Sequence, residues 1–475
     1  MIRPRQIRDA VRALEEASSY AQWLQAAHNY DAVTGGDVWR MADPEDSEQA
    51  VAMRQSTAKL AQLRAGGDAD GLVEALTEAV FRHLGEIRAD EHYSGALAGP
   101  KRLLVNLQDE LEASLLQLAH NPPAHIPRAG VLARFRRSQR VFGRSALLLS
   151  GGATWGFHHL GVVKALFEQD LLPEILSGAS TGAMIAAGVC SRTKAELRQM
   201  YEETDDMRLD GLLPVGLRRA WQSGAWLDPE RLHAVLKHNC GPWTFAEAQA
   251  RSGRILNISV SPARTRQRAR LLNALTSPQV TIASAALASS ALPALFPPVQ
   301  LQARAPGGDL RPYMDGELWV DGSFHGDLPK NRLARLHNVN HFIVSQANPH
   351  ALPLVRQHGQ RGIVPTLAGL VGSTARTQAV HATDLARRAS TRGTASQLAD
   401  RAHGLVSQDY RGDIDIHPPF SWSLYKKVVA NPSREDLAHF IAQGERAVWP
   451  LIPKITEQTR LGRTFSECIR ILEST

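Results

Sequence analysis

The sequence predicts an α/β protein, a mostly parallel sheet with helices on both sides, preceded by an all-helical N-terminal domain. Three observations point there. Short apolar runs at 146–149, 175–178, 255–260 and 341–344 have the length and continuity of strands buried on both faces. Helical stretches separate them, and that alternation builds parallel sheets with crossover helices. Residues 1 to about 130 instead carry polar-faced helical patterns and few strand signals.

In the N-terminal part, 48–64 and 70–84 place apolar residues at helical spacing, and Asn121-Pro122-Pro123 breaks the pattern. His28, His83 and His92 recur at no ligand spacing and read as surface or packing residues. Arg128, Arg134, Arg136, Arg137, Arg140 and Arg144 crowd the approach to the first strand. They suit either an anionic lipid surface, where each cation contributes about 1 kcal/mol, or a solvated helix face. No aromatic interleaving or nucleic-acid module accompanies them, so nucleic acid is not an expected partner.

The first strand ends in Ser150-Gly151-Gly152-Ala153-Thr154-Trp155-Gly156, and a helical stretch follows over 157–166. Such a loop offers unpaired N–H groups to an anion. It lacks the Gly-Lys-Ser/Thr ending of a P-loop and the third glycine of a dinucleotide fingerprint, so a nucleotide site is disfavoured. The second strand runs into Gly178-Ala179-Ser180-Thr181-Gly182, the pattern of a nucleophile elbow. Gly178 and Gly182 belong there because a sharp strand-to-helix turn leaves no room for a Cβ. The helix behind Ser180 would favour an oxyanion at the substrate carbonyl. Both turns fall within about one βαβ unit, so one can supply oxyanion donors while the other presents the nucleophile.

A serine nucleophile needs a base, and Asp321 in Trp319-Val320-Asp321-Gly322-Ser323 is the best placed. It stands at a strand end, and the glycine after it permits close approach to a neighbouring loop. Asp315-Gly316 just upstream reads as a plain turn. A Ser-His-Asp triad is the alternative, with His325, His337, His341 or His350 following the acid. Pro293-Ala294-Leu295-Phe296-Pro297-Pro298 is too rich in proline for a helix interior, and its apolar side chains suit a pocket lining or a buried wall. Farther on, Leu367, Leu370 and Val371 suggest an amphipathic segment that lies on lipid or on the core, 413–418 alternates like an edge strand, and 434–448 reads as a terminal helix.

With 475 residues, 43% of them hydrophobic, the chain can fill two to four domain cores. Cys190, Cys240 and Cys468 are odd in number and match no metal spacing, which fits a reducing compartment. No apolar h-region follows Met1, so a cleaved secretory signal is not expected, and no apolar run is long enough to span a membrane. A net charge of +7 and a pI near 9.5 favour anionic partners.

The Gly-rich loop with its His159-Leu160-Gly161-Val162 continuation, the elbow at Ser180 and the later Asp321-Gly322 together resemble the patatin-like phospholipases. The stretches 256–262, 291–298, Asp321-Gly322-Ser323 with Asp327-Leu328-Pro329, and 342–350 look most like the triacylglycerol lipases of the yeast and plant oil-body type. Residues 20–28 and Tyr93-Ser94-Gly95 are similar to the helical domain that precedes the catalytic domain in those lipases, so the resemblance covers nearly the whole chain. It implies a helical domain at 1–135, a patatin-like three-layer α/β/α catalytic domain at 145–350, and a mostly helical extension at 351–475 packed on it. It also implies a serine–aspartate dyad of Ser180 as nucleophile and Asp321 as proton acceptor, with an oxyanion hole from the N–H groups of Gly151, Gly152 and Ala153. No metal or cofactor is implied. The substrate would be a glycerolipid, triacylglycerol first and phospholipid or lysophospholipid as the near alternative, met by a cytoplasmic protein at a membrane or lipid-droplet surface. Ala153 and Ser323 depart from the glycine and the glycine or alanine common at those positions, but neither removes an atom the mechanism uses. The His-x-x-x-x-Asp pattern linked to acyltransferase work in some relatives does not occur. A lipid-binding protein that lost the chemistry is the reading from another class, and the joint retention of nucleophile, base and loop argues against it.

Overall fold

The computed structural model describes residues 4–42, 47–264, 269–322, 327–348, 410–419 and 429–474. The expectations placed on Ser323, His325, His350, Leu367, Leu370 and Val371 lie outside these residues. Eight helices come first: α1 (Pro4–Glu16), α2 (Tyr20–Thr34), α3 (Gly36–Met41), α4 (Glu48–Gly66), α5 (Ala69–Arg82), α6 (Leu84–Arg88), α7 (Arg102–His120) and α8 (Arg128–Phe142). Asn121-Pro122-Pro123 falls between α7 and α8, as its proline content requires.

The α/β part follows with β1 (Arg144–Leu149), α9 (His158–Glu168), β2 (Ile175–Gly178), α10 (Thr181–Cys190), α11 (Lys194–Glu202), α12 (Leu217–Ser223), α13 (Pro229–Cys240), α14 (Phe245–Ser252), β3 (Ile255–Pro262), β4 (Arg270–Leu272) and α15 (Ile282–Ser289). Next come β5 (Gln302–Arg304), β6 (Leu310–Pro312), β7 (Trp319–Asp321), α16 (Lys330–His337), β8 (Val339–Ser345) and β9 (Ile414–Ile416), and then α17 (Arg434–Val448) and α18 (Ile452–Ser474).

The main sheet runs β4-β3-β2-β1-β8-β9, and β7 also pairs with β3. The four strands read from the apolar runs form its parallel centre, joined by the edge strand β9. One member, β4, was not foreseen; it and β7, the strand that ends in Asp321, pair antiparallel with β3. β4 is three residues long, too short to leave a periodic signal.

Alternate residues of β1 sort to opposite faces, as a pleated strand demands. Leu147 and Leu149 enter the larger core with side chains of α9, α10 and α15, whereas Ala146 and Leu148 face Leu333 of α16. The three layers are therefore helix, sheet, helix, the architecture the resemblance implies. α17 lies across α9 at a crossing where a Cβ on Gly161 or Gly444 would overlap the opposing backbone. The Lys164–Glu445 pair, 2.6 Å apart, fastens that crossing.

The helices divide differently from the sequence boundaries. Trp23 and Ala27 of α2 join the catalytic core, while α4, α5, α7 and α8 build a second core of their own. That second core is completed by the far end of the chain, through Leu461, Phe465, Cys468 and Leu472 of α18. α18 therefore serves both cores, with Ile452 and Ile455 on the catalytic one and its later residues on the other. The apolar stripe of α18 matches the groove left by α7 and α8, and Arg460 meets Asp109 at 2.8 Å and Glu112 at 2.6 Å on α7.

Candidate active site

The elbow is built by close backbone approach. Ser180 stands between β2 and α10 at φ 52°, ψ −125°, a left-handed φ that costs a non-glycine residue about 1–3 kcal/mol. A Cβ on Gly178 would overlap the Gly182 carbonyl, and one on Gly182 would overlap the carbonyls of Leu149 and Ser150. Both glycines are there for space, since neither has a positive φ. Although Ser180 occupies the N-cap position, its side chain makes no capping bond, which leaves Oγ available for chemistry.

What holds the strained turn is a residue that the sequence reading missed. Buried Ser289, the last residue of α15, accepts the Ser180 N–H at 3.0 Å and donates to the Ser259 carbonyl at 2.7 Å. No local motif marks it, because its partners lie 109 and 30 residues away.

Asp321 reaches the elbow along β3. Val260 pairs with Arg270 of β4 on one edge and with Asp321 on the other. That second edge is the one β2 occupies up to the Gly178–Ile258 pair. Asp321 therefore follows the end of β2 on the same edge, two residue steps or about 6.7 Å farther along β3. Ser180, two residues past Gly178, emerges beside it. Asp321 is buried, its N–H donates to Ala291 at 3.1 Å, and a Cβ on Gly322 would overlap the Ser259 carbonyl that Ser289 bonds.

The Gly-rich loop crosses the end of β1 and is braced from β8. Ser150 donates to the Gly151 carbonyl at 2.7 Å and accepts the Ala347 N–H at 2.8 Å. Fully buried His159 lies 3.0 Å from the Ser150 carbonyl through Nε2 and 2.7 Å from Ser345 Oγ through Nδ1. A carbonyl only accepts, so the proton sits on Nε2 and Nδ1 accepts from the serine hydroxyl. Burial pushes this imidazole down to about 4, which keeps it a neutral brace. Thr181 ties the two turns together by donating to the Ala153 carbonyl at 2.8 Å.

Gly151 requires a correction. Its N–H already donates to Asp327 at 2.8 Å and does not face an incoming oxyanion. The N–H groups of Gly152 and Ala153 meet no acceptor among the described residues. Ala153 sits at φ 46°, where the glycine common in the family is free of strain, so its methyl group has a conformational cost.

Asp327 is the second residue that sequence reasoning did not single out for the site. It is buried and accepts Asn348 Nδ2 at 2.5 Å besides the Gly151 N–H. Burial pushes its carboxyl up to about 8; the Gly151 bond opposes this, the nearby Asp321 adds to it, and the Asn348 bond opposes it. Holding a proton at neutral pH, Asp327 anchors the loop without placing a second negative charge beside Asp321. Its position six residues after Asp321 was visible, but its burial was not.

Ser180 opens into a cavity of about 150 Å³. Met184, Leu209, Leu212, Leu232, Leu295 and Phe296 supply much of an apolar lining, and Ala153 of the oxyanion loop borders it. Leu295 and Phe296 answer the question left open for the proline-rich segment: they line the pocket.

The histidines of the triad alternative lie elsewhere where they are described. His337 precedes β8 and bonds Asn257 Oδ1 at 2.9 Å, and His341 bonds Ser145 Oγ and Gln458 Oε1, both at 3.0 Å. His341 is level with Ser145, four residues before the end of β1 where Ser180 emerges. The arginine group is also largely committed. Arg128 donates to the last carbonyls of α18, Arg136 pairs with Glu473 at 2.6 Å and Arg144 with Glu174 at 2.6 Å. A uniform free basic patch is therefore not present. Cys190 packs inside α10, with its thiol pushed up to about 12 by burial.

An α/β/α fold thus carries a strained serine at a strand-to-helix turn, a buried aspartate farther along the same edge of β3 and a glycine loop at the end of β1. Residues 147–330 match the family described as patatin-like phospholipase, and residues 2–140 match a domain of unknown function (DUF3336). Triacylglycerol lipase ptl3 of Schizosaccharomyces pombe is 32% identical, over 93% of this chain and 92% of its own length. Triacylglycerol lipase 5 of Saccharomyces cerevisiae is 29% identical over 97% of this chain, and triacylglycerol lipase SDP1L of Arabidopsis thaliana 32% identical over 97%. The matches cover 64% and 58% of those two proteins, so the chain spans less than two thirds of their length. This chain belongs to the patatin-like phospholipase family.

Proposed function

We propose that this chain hydrolyses the acyl esters of glycerolipids, triacylglycerol foremost, through a dyad of Ser180 and Asp321. The observation that carries the reading is the opening of strained Ser180, with buried Asp321 farther along the same edge of β3, onto a cavity lined largely by apolar side chains. Asp321 takes the hydroxyl proton as Ser180 Oγ attacks the ester carbonyl. The tetrahedral oxyanion is met by the N–H groups of Gly152 and Ala153, and removing one such donor typically costs about 2.7–4 kcal/mol. The alkoxide leaves with a proton, an acyl-enzyme remains, and water activated by Asp321 releases the fatty acid. The chemistry uses side chains and backbone only.

The names of the relatives favour triacylglycerol over phospholipid. Among the described residues no helix is long and apolar enough to cross a membrane, and the proposal is that the protein meets its substrate peripherally, from the cytoplasmic side of a membrane or droplet. The test is mass spectrometry of a mixed lipid extract incubated with the protein and with Ser180→Ala. Loss of triacylglycerol with release of fatty acid, absent in the variant, is expected. Selective loss of phospholipid would move the assignment to a phospholipase, and no serine-dependent change would overturn it.

A further inference from the structure

Between Leu213 and Asp228 the chain makes an excursion beside the cavity. Its stalk is a pair of short segments: Pro214 bridges Leu227, the Val215 N–H donates to the Trp226 carbonyl and the Asp228 N–H to the Leu213 carbonyl, both at 2.9 Å. At the tip lies α12 (Leu217–Ser223), closed by Gly224 at φ 65°. The root is fixed to the cavity wall, because Trp226 and Leu227 donate to the Leu295 carbonyl at 3.1 and 2.8 Å and Leu295 lines the cavity.

The tip presents the wrong side chains to water. α12 buries Ala220 and turns Leu217 and Trp221, one helical turn apart, outward at 78% and 92% exposure. Trp226 and Leu213 on the stalk add 55% and 49%. Single exposed leucines are ordinary, but one arm here exposes four large apolar side chains, one of them a nearly naked tryptophan. Arg218 stands among them with no acidic partner among the described residues. Tryptophan beside a cation is the composition that settles at the boundary between headgroups and acyl chains.

We propose that the 213–228 arm is the surface by which this protein docks on a lipid–water interface, so that the mouth of the Ser180 cavity meets lipid. The proposal rests on the glycerolipid reading, and it names the place of contact. The fixed root keeps arm and cavity in register: whatever seats Trp221 in the interface brings Leu295 and the cavity rim to it.

The experiment is flotation with vesicles of phosphatidylcholine and phosphatidylserine, beside hydrolysis of a soluble butyrate ester, for the parent, Leu217→Ser/Trp221→Ser and Trp221→Phe. The double serine variant should bind vesicles at least about tenfold more weakly, given what two buried apolar side chains contribute to partition. Trp221→Phe should recover most of the binding, and all three should cleave the soluble ester alike. Flotation needs no catalysis, so an inactive parent that still floats would count against the hydrolase reading alone. A parent that does not float, a double variant that floats like the parent, or a variant whose only change is from dimer to monomer in sedimentation would overturn the docking surface.

Discussion

Replacing Asp327 by asparagine tests the electrostatics of the site directly. The carboxyl is raised from the ordinary aspartate range to about 8 in the folded protein, chiefly by burial. A group that holds its proton more tightly when folded stabilises the fold at low pH, and that contribution is lost as pH rises from the unfolded value near 4 through the folded value near 8. Each unit of that window is worth about 1.4 kcal/mol. Between pH 5 and pH 7 the parent should therefore lose about 3 kcal/mol that Asp327→Asn does not lose. The variant keeps an acceptor for the Gly151 N–H, and the Asn348 amide need only turn over to face it with oxygen. The assay is urea unfolding of both proteins at pH 5, 6 and 7, read as the difference between their stabilities. A difference that stays constant across the three pH values would refute the claim that Asp327 is protonated.

Three further substitutions probe the braces. His159→Ala leaves the Ser150 carbonyl and the Ser345 hydroxyl without their buried partner, so thermal unfolding should show a loss of about 2–4 kcal/mol together with reduced turnover, while His159→Gln should retain part of both. Ser289→Ala strands the N–H of a strained nucleophile; ester hydrolysis should fall on the order of tenfold and stability by about 1–3 kcal/mol, measured by kinetics and urea unfolding. Ala153→Gly removes a side chain from a left-handed position and should stabilise the fold by up to about 1 kcal/mol with turnover retained; a clear destabilisation would show that the strain assigned to Ala153 is absent.

The motifs made the centre of the molecule legible. The parallel strands announce themselves as apolar runs, and the elbow, the glycine loop and the Asp321 segment as runs that end at glycine, because buried parallel strands and close backbone approach leave few residue choices. Ser289 and Asp327 were not legible as braces, since each acts through partners distant in sequence, whereas His159 stands directly after the loop that it braces. Cys468 and its neighbours on α18 show the same limit on a larger scale: 434–448 reads as the terminal helix, whereas α18 follows it and packs on α7 and α8 from the other end of the chain. The arginines form one cluster in sequence, but three of the six are spent on fixed partners: Arg128 and Arg136 on α18, and Arg144, at the start of β1, on Glu174.

The central claim is that an aspartate, and no histidine, takes the proton of Ser180. Asp321→Asn is nearly isosteric and cannot act as a base, so its turnover on a soluble ester is the most direct measurement, taken with unfolding data that certify the fold. The account predicts a fall of at least about a thousandfold, comparable with Ser180→Ala, with little loss of stability. Turnover within about tenfold of the parent in a folded Asp321→Asn protein, or abolition by His325→Ala or His350→Ala alone with the fold intact, would contradict the dyad.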